Sequence, residues 1–150
     1  MDKIHLEDLS PGQIFRTASV TMTEDDIFAF AGRYDPQYFH LDPEAAKESF
    51  FQGLAASGWH TAAATMRLLV TSDLGRLAWG VIGAGLEDLR WHRPVRPGDV
   101  LTAEAEVLDI RPSRSKPGQG LVRFRVTTRD QQGEPVQIFT TPLLVPARPT

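Results

Sequence analysis

The stretch that most constrains the fold is residues 59–70, WHTAAATMRLLV, which is apolar on nearly every side when it is placed on a helix. A helix that is hydrophobic all round is buried all round. A chain of 150 residues encloses such a helix only by wrapping the rest of itself around it. Ser57-Gly58 stands directly before this run, and a serine there is typical of a helix N-cap. We therefore predict a long central helix that begins near Gly58 and is buried by its surroundings.

The second half of the chain supplies strands for that enclosure. Hydrophobic and polar residues alternate over 100–110 and again over 121–128, which is typical of half-buried strands. Residues 136–145, the glycine-interrupted residues 81–91 and the early residues 14–22 also have strand-like composition. A buried helix followed by long antiparallel strands predicts an α+β fold in which a curved sheet wraps around the helix.

Two shorter helices are predicted before the central one. Thr23 begins the first, with Asp26 three residues later in a variant of the capping box, and Gly32 is a typical end. Asp42 and Pro43 begin the second, as N-cap and first helical residue. The residues between these helices are predicted to be irregular.

Composition and charge narrow the classes of function. The formal net charge of −3 gives no reason to expect nucleic acid or an anionic membrane as partner. No stretch is long and apolar enough to predict a membrane span, and no apolar run follows the N-terminal charges, so we expect a cytoplasmic protein. The chain has no cysteine, and its histidines show no spacing to acidic residues that is typical of a metal site. Without internal repeats, we predict one domain over residues 1–150.

The segment between the short helices and the central helix concentrates side chains that can do chemistry. Asp35 is followed by His40 five residues later and by Asp42 two residues further, and Gly58 comes eighteen residues after the histidine. From the residues alone, Asp35 before Pro36 is equally typical of a turn, and His40 is equally compatible with a place in the core. Asp42 is explained by helix capping.

These positions resemble the signature of the MaoC-like dehydratases, a hotdog-fold family that includes the (R)-specific enoyl-CoA hydratases. The family pattern is D-x-N-P-x-H-x-D, followed by a glycine at the start of the central helix. Here Asp35, His40, Asp42 and Gly58 match it. The resemblance spans roughly residues 10–145 and implies a hotdog fold, with an overhanging helical segment that carries the catalytic loop.

The resemblance also implies a function. A family member adds water to a 2-enoyl thioester, or removes it from a 3-hydroxyacyl thioester, and the substrate is expected to be an acyl-CoA. Asp35 and His40 would activate the water, and the N–H of Gly58 would bind the thioester oxygen as it gains charge. No metal or redox cofactor is implied, since coenzyme A is part of the substrate. The expected unit is a homodimer or a higher homo-oligomer built from dimers.

Around this motif we predict substrate contacts from Ser57 at the helix start and from nearby aromatic residues, which are equally compatible with the core: Tyr38, Phe39, Phe50 and Trp59. The family's Asn-Pro is replaced by Gln37-Tyr38, with the proline moved to position 36. The family's helix start is typically His-Gly rather than Ser-Gly, and Met66 stands where some members have serine. Because these positions depart from the family pattern, we expect the pocket shape and the substrate to differ from those of typical members.

Two other functions remain open at this point. A hotdog thioesterase would use a carboxylate and the same helix-start N–H to hydrolyse the thioester. A non-catalytic acyl-CoA-binding protein would keep the pocket without the geometry of the Asp35/His40 pair. The Asp-x4-His spacing favours the hydratase over the thioesterase.

Overall fold

The computed structural model describes residues 2–150 and contains one antiparallel sheet in the order β1-β3-β4-β5-β2. The strands are β1 (Ile14–Thr21), β2 (Glu87–Trp91), β3 (Val100–Pro112), β4 (Gln119–Arg129) and β5 (Pro135–Pro146). The prediction that β2 begins at residue 81 is wrong. Residues 81–86 make only an isolated bridge from Gly83 to Leu143, because Gly83 and Gly85 interrupt the ladder and Gly85 has a φ of +155°.

Four α-helices accompany the sheet: α1 (Glu24–Tyr34), α2 (Tyr38–Leu41), α3 (Pro43–Ala46) and α4 (Gly58–Val70). The predicted caps are confirmed, since the side chains of Thr23, Asp42 and Ser57 each accept a hydrogen bond from a first-turn N–H. The predicted end of α1 at Gly32 is wrong. Gly32 keeps a helical φ, and the helix continues to Tyr34 before Asp35 caps it.

Alternation along β3 and β4 directs one face of the sheet into the core, as predicted. Leu101 and Ala105 on β3 and Phe124 and Val126 on β4 are almost fully buried, and Ala105 lies opposite Val126 in the ladder. The helix α4 lies against this face. The hotdog fold predicted from the sequence, an antiparallel sheet around a central helix, is confirmed.

The prediction that α4 is buried on every side is wrong for the single chain. Leu68 and Leu69 face the sheet and are buried, but Trp59, Met66 and Val70 are 58%, 44% and 42% exposed. The sheet covers only one side of the helix, so the opposite side presents large apolar groups to solvent. No helix in residues 2–150 is long and apolar enough to cross a bilayer.

The covered side of α4 also contributes to a cluster of buried polar groups that are hydrogen-bonded to one another. The hydroxyl of Thr65 lies 2.7 Å from that of Thr128 on β4, and the amide nitrogen of Gln137 on β5 donates to Thr65 over 3.2 Å. All three residues are fully buried. These bonds fix the rotation and height of α4 on the sheet, because a buried polar group left without a partner is costly.

Residues 35–57, which we call the overhang, connect α1 to α4 and are attached to the turn before β3. The guanidinium of Arg96 donates to the carbonyl oxygens of Phe51 and Leu54, the latter over 3.1 Å. The N–H of Ala56 donates to the carbonyl oxygen of Val95 over 2.8 Å. The predicted overhanging segment is therefore present, and Arg96 is its main side-chain anchor.

Replacing Arg96 by Met is expected to loosen the overhang. The variant keeps the aliphatic stem but leaves two carbonyl groups without their charged donor, which we expect to lower the free energy of unfolding by about 2 kcal/mol. Urea unfolding measures the loss, and amide hydrogen exchange over residues 50–56 locates it. Arg114→Met, in the exposed β3–β4 loop, is the matched control. Equal effects of the two variants would contradict the anchoring role.

Candidate active site

Asp35 and His40 meet at the start of the overhang. Nε2 of His40 lies 3.1 Å from Oδ2 of Asp35, and their side chains are only 5% and 18% exposed. Asp35 is the C-cap of α1, and His40 lies on the single turn of α2. The spacing of five residues therefore places the histidine above the end of the preceding helix and beside the carboxylate.

The second ring nitrogen of His40 determines where protons sit in this pair. Nδ1 lies 2.6 Å from the carbonyl oxygen of Ala55. A carbonyl oxygen only accepts hydrogen bonds, so Nδ1 carries a proton. On the other side, Nε2 faces a carboxylate oxygen, and two acceptors at that distance repel unless a proton lies between them. The pair therefore holds one exchangeable proton between Asp35 and His40.

The electrostatic environment favours the ionised form of Asp35. Burial is the largest single influence and by itself raises the pKa of this carboxyl, but hydrogen bonds from Gln37 and Ser57 and the adjacent His40 together outweigh it. The pKa of Asp35 consequently lies below its ordinary value. The side-chain amide of Gln37 is 2.5 Å from Oδ1 of Asp35, so the residue that replaces the family's asparagine binds the carboxylate directly.

Gly58 is the first residue of α4, so its N–H has no acceptor within the helix. An added Cβ would lie 2.6 Å from Cζ2 and 2.7 Å from Cδ2 of Trp91, and closer still to Cε2. Glycine is therefore required here because the indole ring already occupies the space of a side chain. This adds a reason for glycine that the sequence does not show, beyond close approach of a substrate to the backbone.

These groups open into one cleft of about 740 Å³. Its wall includes six of the eight predicted site residues: Asp35, Phe39, His40, Phe50, Gly58 and Trp59. Tyr38 does not line it, because its side chain points outward and is half exposed. Ser57 does not line it either, because it is fully buried behind the helix start. Tyr38 and Ser57 therefore lie outside the wall of this cleft, and their predicted substrate contacts stay predictions.

Comparison with known proteins assigns the family. The MaoC-like domain family matches residues 8–129. The chain belongs to this family.

Individual members of the family resemble the chain over nearly its whole length. Uncharacterized protein YdeM of Bacillus subtilis is 34% identical over 143 residues, which are 93% of this chain and 96% of that protein. The (R)-specific enoyl-CoA hydratase of Rhodospirillum rubrum is 31% identical over 145 residues, 96% of this chain and 93% of that protein. The crystal structure of a MaoC-like dehydratase from Rhodospirillum rubrum has a TM-score of 0.94 at 54% identity, and covers 98% of this chain and 99% of that chain.

The cleft of this MaoC-like domain has further walls that the sequence does not reveal. Trp91 and Arg96 come from β2 and the turn that follows it, and Thr61 comes from the buried side of α4. Neither Trp91 nor Thr61 lies in a recognisable motif, and Trp91 is separated from His40 by 50 residues of chain. Only the pairing of β2 with β5 brings Trp91 to the start of α4.

The other histidine near the central helix of the MaoC-like domain does not belong to the site. His60 stacks on Phe30 of α1 at a centroid distance of 4.8 Å and does not line the cleft. Burial lowers the pKa of its imidazole, and the charge of Asp26 opposes that shift. Its role is packing between α1 and α4.

Replacing Asp35 by Asn is expected to reduce the pH dependence of stability. The pKa of Asp35 in the folded chain is lowered from 3.8, so the ionised carboxylate stabilises the fold. This stabilisation is fully present above the pKa of the unfolded chain. It is lost as the pH falls through the lower pKa of the folded chain. The difference in unfolding free energy between wild type and variant should be larger at about pH 6 than at about pH 3, as measured by urea unfolding. Asp25→Asn, at an exposed position on α1, is the control. An equal difference at both pH values would contradict the assignment.

Proposed function

We propose that the protein is a hydratase/dehydratase that interconverts 2-enoyl and 3-hydroxyacyl thioesters, with acyl-CoA as the substrate class. The observation that carries the proposal is the contact between Asp35 and His40, 3.1 Å apart, in the same cleft as the first N–H of α4. A proton-holding pair opposite a helix start is what addition of water to a conjugated thioester requires. The hydratase and dehydratase names of its relatives support the same chemistry.

The pair acts as both base and acid in this mechanism. Asp35 and His40 hold a water molecule against C3 of the enoyl group. As the water oxygen bonds to C3, the carboxylate of Asp35 accepts the water proton and Nε2 of His40 donates a proton to C2. The pair begins and ends with one proton, which returns from Asp35 to His40 across their hydrogen bond. Dehydration follows the same steps in reverse.

The start of α4 stabilises the charge that develops on the thioester oxygen. As C3 is attacked, electrons move toward the carbonyl and form an enolate-like oxygen. The N–H of Gly58 and the positive end of the helix dipole lie where they stabilise that charge. Phe39 and Phe51, which are partly buried, form apolar walls of the cleft, and an apolar surround strengthens the interaction.

The thioesterase alternative has less support from the geometry. Hydrolysis needs a carboxylate or an activated water aimed at the thioester carbon, whereas Asp35 is already bound by Gln37 and paired with His40.

The non-catalytic alternative loses its main argument as well. The rewritten Pro36-Gln37-Tyr38 segment leaves the two side chains in contact, and Gln37 adds a hydrogen bond to the carboxylate.

We also propose that the functional unit is a homodimer joined through β2. Among residues 2–150, β2 pairs with a strand on one side only, and an unpaired edge favours association. Large apolar side chains surround this edge, including Leu86 at 53% exposed and Trp91 at 44%, and the uncovered face of α4 adds Met66. Pairing β2 with its copy would extend the sheet and cover this surface.

Hydration of crotonyl-CoA tests the proposed activity. We expect loss of the enoyl absorbance without release of free thiol, and a drop of at least about a hundredfold in kcat for both Asp35→Asn and His40→Ala, because each removes one partner of the proton relay. Asp42→Asn, a capping residue outside the cleft, is the control and should retain activity. Release of free thiol would instead establish the thioesterase.

Light scattering coupled to size-exclusion chromatography tests the dimer. Wild type should elute with twice the chain mass of 16.6 kDa. Leu86→Lys places a charge beside the edge strand and should shift the protein toward monomer, since desolvating an unpaired charge in an interface is costly. Leu121→Lys, on β4 and also partly exposed, is the control. A monomeric wild type would contradict the proposal.

A further inference from the structure

The indole of Trp91 lies directly against the backbone of Gly58, within the volume that a Cβ would fill. We infer that Trp91 is a positioning residue, held by Gln137, that fixes the direction of the Gly58 N–H toward the substrate oxygen. The inference rests on the proposed function, because it assigns a role within the same site. It concerns two residues, one on an edge strand and one in the core, that belong to no motif of the sequence.

A continuous set of hydrogen bonds ties the indole to the interior. Nε1 of Trp91 donates to the side-chain oxygen of Gln137 over 2.9 Å, and the amide nitrogen of Gln137 donates to the hydroxyl of Thr65 over 3.2 Å. The hydroxyl of Thr65 lies 2.8 Å from the carbonyl oxygen of Thr61, one turn earlier on α4. The connection therefore leaves α4 at Gly58, passes through Trp91 and Gln137, and returns to α4 at Thr65.

The chemistry of these groups permits only one orientation of the Gln137 amide. An indole N–H only donates, so the amide oxygen must face Trp91. The amide nitrogen then faces Thr65, whose hydroxyl donates to Thr61 and accepts from Gln137. Because Gln137 is fully buried, no water replaces either bond without a change in the core. The indole of Trp91 is therefore held by the Gln137 side chain, whose orientation is itself fixed by two hydrogen bonds.

The contact between Trp91 and Gly58 affects the direction in which the Gly58 N–H points. The N–H of Gly58 can point at a developing oxyanion only if the first turn of α4 keeps its position, and a donor displaced by a fraction of an ångström stabilises that charge less well. Trp91 blocks movement of Gly58 toward β2, and Trp59 packs edge-on against the same indole at 5.3 Å. Trp91 also lies directly opposite Gln137 in the pairing of β2 with β5. The register of the two strands therefore fixes the position of the indole along the sheet.

Two variants test the inference in the full-length protein. Trp91→Phe removes the indole donor, and Gln137→Leu removes its buried acceptor without touching the cleft. We expect each to lower kcat for crotonyl-CoA hydration about tenfold, less than the roughly hundredfold loss typical when an oxyanion donor is removed outright, with KM changed by less than about threefold. The double variant should lose little more than the worse single variant, because the two residues act as a unit.

Trp79→Phe is the matched control, since Trp79 is similarly exposed but does not line the cleft; it should retain wild-type kcat. Each variant is first shown to be folded, by circular dichroism, and to have the wild-type assembly mass. Trp91 is partly exposed, so Trp91→Phe serves as the test if the buried Gln137→Leu fails to fold. Wild-type kcat in Trp91→Phe overturns the inference.

An infrared measurement reports on the Gly58 N–H directly. Butyryl-CoA labelled with ¹³C at the thioester carbonyl binds without reacting, and a hydrogen bond to its oxygen lowers the stretching frequency. We expect a clear lowering in wild type and in Trp79→Phe, and a smaller one in Trp91→Phe and Gln137→Leu. Equal frequencies in all four proteins, with an active wild type, would overturn the positioning role alone. A wild type that hydrates no enoyl-CoA and leaves the frequency unchanged would overturn the proposed function and this inference together.

Discussion

The hydrogen bond between Nδ1 of His40 and the carbonyl oxygen of Ala55 is the contact on which the rest of the site depends. It joins the loop that carries the Asp35/His40 pair to the extended residues that lead into α4. Because a carbonyl can only accept, the bond also fixes which ring nitrogen carries a proton and leaves Nε2 facing Asp35. One buried interaction thus sets both the position of the Asp35/His40 pair relative to the helix start and which ring nitrogen carries a proton.

The two halves of the site are stabilised by different physics. On the loop side, the attractions are electrostatic and local, since Gln37, Ser57 and His40 together keep the Asp35 pKa low in spite of burial. On the helix side, the constraint is steric and long-range in sequence, since the indole of Trp91 fills the space beside Gly58. The first half needs neighbours along the chain, whereas the second needs the completed sheet. The site is therefore complete only when β2 is paired with β5.

This difference explains how much could be predicted from the sequence. Local signals were sufficient for the caps at Thr23, Asp42 and Ser57, for the alternation of β3 and β4, and for the spacing of Asp35 and His40. The burial of α4 was overestimated, because composition does not tell which side of an apolar helix another layer covers. The roles of Trp91 and Gln137 could not be predicted, because their partners are set by strand register across the sheet. The position of Tyr38 outside the cleft wall could not be predicted either, because the single turn of α2 directs its side chain outward.

The attachment of the overhang has a consequence for how such a chain diversifies. Arg96 binds the carbonyl oxygens of Phe51 and Leu54, and His40 and Val95 likewise bind backbone atoms of Ala55 and Ala56. Main-chain groups are the same whatever side chain a residue carries. The cleft wall at Phe50 and Phe51 can therefore accumulate substitutions that reshape the cleft while the scaffold keeps its anchors. Evolution, or a designer, is free to change the selectivity of the pocket separately from the machinery that holds it in place.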